Sequence, residues 1–105
     1  MDMRFKSCEG IYYDKPKEIE VWNDIAEGGY FWWYWEKYKC DVLMCMPPCV
    51  DLVLTSLPVN TEGSFNHWVW DGNREKPTLE PSIGIGINQS LWHGYLKSGY
   101  WEACE

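Results

Sequence analysis

Positive charge is scarce in this chain. Nine lysines and arginines stand against sixteen aspartates and glutamates, for a formal charge of −7. That argues against nonspecific nucleic-acid binding, which needs cations to displace the counterions on phosphate. It suits a basic protein partner, mimicry of nucleic acid, or solubility alone. Long apolar runs are also missing, and none approaches the ~20 residues that span a bilayer. The opening stretch MDMRFKSCEGIYYDK is charged and lacks an apolar signal core. A cytoplasmic protein is expected, with its thiols reduced. Catalytic signatures are absent as well. There is no Walker loop, no Gly-x-Ser-x-Gly and no His-Glu-x-x-His. Gly84-Ile85-Gly86 lacks the third glycine and the strand-to-helix context of a dinucleotide loop.

What is abundant is aromatic. Eight Trp, seven Tyr and three Phe make up 17% of 105 residues. A single domain of this size, residues 1–105, cannot easily hide eighteen rings. Some should line a β-rich core and others should reach the surface, where Trp and Tyr favour protein interfaces. Trp32, Trp33 and Trp35, in the WWYW run, are the candidate partner-binding residues.

Strand signals dominate the rest. MRFKS alternates like a short edge strand. YFWWYWEKYKCDVLMC reads as one or two strands, and VDLVLTSLPV as another, closed by Pro58. HWVWDGN ends in a hairpin turn at Asp71-Gly72. Pro77 and Pro81 suit an edge or extended segment better than a central strand. Ser82 can cap a backbone turn. WHGYL, a KSG turn and YWEAC form a closing hairpin. One short helix is expected between Pro16 and Gly28-Gly29, where Ile19, Trp22, Ile25 and Ala26 recur at helical spacing. The expectation is a mainly β domain of about six or seven short antiparallel strands with that one helix.

The chemistry of the thiols is open at this point. Five cysteines are an odd number, a poor basis for a disulfide framework in a reducing compartment. Cys45 and Cys49 flank two prolines that stiffen the turn, so their thiolates could converge on one metal ion. The closing hairpin places His93 on one strand and Cys104 on the next. Together Cys45, Cys49, His93 and Cys104 make a candidate Cys₃His zinc site. The bland alternatives are buried thiols acting as small hydrophobes and a structural histidine. A redox pair is weaker, because such pairs favour C-x-x-C at a helix start.

The strings CMPPC, WVWDGNREKPTLEPSIG and WHGYLKSGYW resemble a family of small, uncharacterised bacterial and phage proteins. The resemblance covers roughly residues 38 to 104. Some phage members are titled ammonia monooxygenase, and some bacterial relatives lie beside ubiquitin-like conjugation genes in antiviral islands. The resemblance implies a compact zinc-bearing β domain, with Cys45 and Cys49 as knuckle cysteines and His93 as the hairpin histidine. Trp92 stands where many members have a cysteine. The resulting expectation is a non-enzymatic, phage-derived zinc-binding protein that contacts and inhibits a host defence protein in the host cytoplasm. The competing expectation is a zinc- or cysteine-dependent hydrolase. A homodimer is compatible with the surplus aromatics.

Overall fold

The computed structural model describes residues 5–14, 25–37, 39–49, 54–60 and 67–104. The expected helix and the start of the MRFKS strand lie largely outside these residues. So does the first half of VDLVLTSLPV. Nine strands are present among the described residues, in two sheets.

The four-stranded sheet holds β2 (Ile11–Tyr12), β3 (Gly29–Trp35), β4 (Cys40–Cys45) and β5 (Thr55–Val59), in that order. Its long pairs are antiparallel, and Trp32 stands opposite Leu43, which stands opposite Leu57. The five-stranded sheet runs β1 (Cys8–Glu9), β9 (Tyr100–Ala103), β8 (Trp92–Lys97), β7 (Leu79–Ile85), β6 (Val69–Trp70). All of its pairs are antiparallel. The WWYW hairpin and the hairpin across Ser98-Gly99 therefore form as their alternation predicts.

One core joins the sheets. Tyr30, Trp32, Leu43, Leu57 and Val59 from one meet Leu79, Ile83, Ile85, Trp92, Leu96 and Trp101 from the other. Period-two alternation sends every second residue of each strand into this layer. Burying indoles is favourable only if their N–H groups find acceptors. They do so on backbone carbonyls of connecting segments. Trp92 donates to Lys6 at 2.8 Å, Trp101 to Gly28 at 2.9 Å and Trp32 to Arg74 at 2.9 Å. Thus the aromatic surplus fills the core and ties its connections down.

Trp68 links the two sheets. Its N–H donates to Pro58 O and its carbonyl accepts from Asn60, while its indole donates to Ser82 O at 3.3 Å. The Asp71-Gly72-Asn73 string is a structural turn. Asp71 Oδ1 accepts from the N–H groups of Asn73 and Thr78, and Asn73 Oδ1 from that of Lys76.

Pro81 corrects an expectation. It lies in β7, an internal strand, not on an edge. A bulge accommodates it. Leu79 pairs with Leu96 and Ile83 with Gly94, so Glu80, Pro81 and Ser82 oppose the single residue Tyr95. A bulge is the one place inside a sheet where proline's missing N–H costs no ladder bond.

Candidate active site

Alternation along β7 aims Ser82. Ile83 and Ile85 point into the core, so Ser82 and Gly84 face outward from the five-stranded sheet. On β8, Trp92 and Leu96 point inward, which turns His93 to the same outer face. His93 stands directly opposite Gly84. It therefore lies diagonally across from Ser82, and the two side chains meet. The Ser82 hydroxyl and His93 Nε2 are 3.0 Å apart, and both residues are half-buried. Ser82 is thus not a turn cap.

The surroundings hold this pair in place. Trp68 anchors the Ser82 carbonyl. The His93 carbonyl accepts from Cys104 N–H at 2.8 Å, which fixes β8 against the chain end. Gly84, opposite His93, has no side chain to fill the space beside it. Instead the Gln89 side chain folds over Gly84. Among the described residues no carboxylate hydrogen-bonds the His93 ring, so within them the pair stands as a dyad.

A serine hydroxyl bonded to an imidazole is the minimal apparatus of nucleophilic acyl transfer. The neutral ring accepts the hydroxyl proton as Oγ attacks a carbonyl, then returns it to the leaving group. The fold and this pair give a β-sheet protein with a candidate Ser–His dyad on the outer face of the five-stranded sheet.

Comparison with known proteins agrees. Residues 18–104 match the model of a family described as bacterial ubiquitination-like system serine protease (BubE), and the chain belongs to that family. No match was found among curated proteins or solved structures. The family overturns the expectation of a non-enzymatic phage protein that works by contact alone. It upholds the link to ubiquitin-like conjugation, and a hydrolase is the better reading.

The four candidate zinc ligands are divided between two places. Cys45 and Cys49 are buried in the core. Burial and the neighbouring Cys49 push the Cys45 thiol well above its usual range, and it donates to Thr55 O at 3.6 Å. Cys104 lies just beyond β9 with its N–H on the His93 carbonyl, and the His93 side chain is engaged by Ser82. Among the described residues no three His, Cys, Asp or Glu side chains are grouped to hold a metal ion. As arranged, the four residues do not form one donor set.

The aromatic run divides by parity. Trp32 is 4% exposed and stacks on Trp70 at 4.1 Å between ring centroids. Trp33 and Trp35 face outward from the four-stranded sheet, lining a groove of about 280 Å³ with Val42, Met44 and Ser56. No helix among the described residues is long and apolar enough to cross a membrane.

Ser82 is the candidate residue that sequence reasoning missed. A signal existed: Ile83 and Ile85 fix the parity of β7, Trp92 and Leu96 that of β8, and INQSL between them is short enough for a hairpin.

Proposed function

We propose that this protein is a serine hydrolase of a bacterial ubiquitin-like conjugation system, with Ser82 as nucleophile and His93 as general base. The 3.0 Å contact between Ser82 Oγ and His93 Nε2 carries this reading. The family description supports it. Ser82 Oγ attacks the carbonyl carbon of an amide or ester as His93 Nε2 takes its proton. The tetrahedral intermediate collapses, the C–N or C–O bond breaks, and the protonated His93 gives its proton to the departing amine or alcohol. Water, deprotonated by His93, then releases the acid from the Ser82 ester.

The outward aim of the pair suits an extended chain laid across the sheet, such as the tail of a ubiquitin-like modifier. The test is cleavage of a modifier–peptide fusion by wild-type protein and by Ser82→Ala. Equal cleavage by both would remove the reading.

Two further proposals are independent of it. Trp33 and Trp35 offer a contact for a protein partner or for a second copy of the chain. Trp33→Ser would weaken either kind of association, and sedimentation would distinguish them. Zinc on Cys45 and Cys49 rests on two buried thiols in one core cluster, the second influencing the first electrostatically. Completing the site with His93 and Cys104 would require those residues to leave the other sheet's surface. One zinc per chain in protein purified without chelator supports a metal, and none removes it.

A further inference from the structure

The dyad lacks an assigned partner for the charge that develops on the carbonyl oxygen. Stabilising that oxyanion is usually the largest single contribution to acyl transfer, and side-chain amides can supply it. Gln89 is placed to do so. It ends the 3₁₀ turn Ile87–Gln89 that connects β7 to β8. Its φ is +61°, in the left-handed region that side-chain-bearing residues seldom occupy. Left-handed conformations at non-glycine residues concentrate at functional sites.

Core packing does not account for a glutamine here, because the residue is exposed. The position of its side chain does. The Gln89 Cγ methylene crowds the point a Gly84 Cβ would occupy, with Cδ and Nε2 each 3.2 Å from that point. That point shares the outer face with Ser82, two residues back on the same strand, and with His93, directly opposite. Two residues of strand span about 6.6 Å. The amide therefore lies on the same face as Ser82 and about one strand repeat away, on the side from which a bound carbonyl can be met. Glycine at position 84 is what leaves the Gln89 side chain this room.

We propose that the Gln89 side-chain amide is the oxyanion donor of the Ser82–His93 site, a catalytic residue acting through its Nε2–H. The proposal rests on the serine-hydrolase reading. In the ground state the substrate carbonyl lies off the amide. As Oγ attacks, the oxygen gains negative charge and moves toward Nε2. The donor then strengthens its bond in the transition state, which raises kcat and leaves KM nearly unchanged.

Two substitutions test it by steady-state hydrolysis of a p-nitrophenyl ester. Gln89→Met keeps the length of the side chain and removes the donor. Gln89→Gly removes the amide and relieves the left-handed backbone, so it should melt no lower than wild type. Both are expected to lower kcat by about 10²- to 10³-fold, with KM within about threefold. A peptide boronate that mimics the tetrahedral intermediate should lose affinity for both in the same proportion. If both variants keep kcat within about threefold of wild type while Ser82→Ala is inactive, Gln89 is not the donor and the dyad stands. If wild-type hydrolysis does not depend on Ser82, both readings fall.

Discussion

Replacing His93 by glutamine isolates the base from the scaffold. The imidazole is half-buried on the outer face, and the backbone bond from Cys104 N–H to His93 O does not depend on the side chain. The amide introduced by His93→Gln can still reach the Ser82 hydroxyl. Stability should therefore change by only about 0.5–1 kcal/mol, as for most substitutions outside the core. Catalysis should change far more. A positioned general base contributes about 10²- to 10⁴-fold. At 1.36 kcal/mol per decade, that is roughly 2.7–5.4 kcal/mol of lost transition-state stabilisation. The assay is ester and modifier-fusion hydrolysis, beside urea unfolding of the same samples. The variant should keep its urea midpoint close to that of wild type and lose nearly all activity on both substrates. A kcat within about threefold of wild type would refute the assignment of His93.

The remaining predictions concern the fold and the neighbouring thiols. Trp101→Phe shrinks a fully buried ring and strips Gly28 O of its indole donor, so urea unfolding should show a loss of about 2–4 kcal/mol. Alkali should destabilise the protein. The folded chain holds the Cys45 thiol proton well above its usual range, by burial, and the Tyr30 phenol proton up to about 12, also mainly by burial. The unfolded chain releases these protons first, near pH ~8.5 and ~10. The stability they contribute is then complete below those values and is lost as pH rises toward the folded ones. Urea midpoints that stay flat from about pH 7 to about pH 11 would contradict this. Cys104→Ser should keep nearly full activity, because the proposed nucleophile is the hydroxyl of Ser82. If it abolished activity, the chemistry would pass to the thiol beside His93.

The local hairpins were readable because each is set by alternation and a short turn. YFWWYW and CDVLMC pair as β3 and β4, and WHGYLK turns through Ser98-Gly99 into YWEA. The same alternation could have divided the WWYW run, since Trp33 and Trp35 share a face and Trp32 takes the other. The bulge was not readable. Pro81 signals an edge by local chemistry, yet long-range pairing on both sides makes β7 internal. Ser82 takes its outward orientation from the parity of Ile83 and Ile85, but no short motif marked it as a candidate nucleophile. The candidate zinc set joined residues by plausible spacing. Sheet stacking instead sends Cys45 and Cys49 into the core and turns His93 outward.

The most direct test of the account is to expose the protein to a fluorophosphonate and locate the adduct by peptide mass spectrometry. The account predicts one phosphonylated residue, Ser82, with labelling lost in Ser82→Ala and strongly slowed in His93→Gln. An unlabelled protein, or an adduct on another residue that persists in Ser82→Ala, would contradict it.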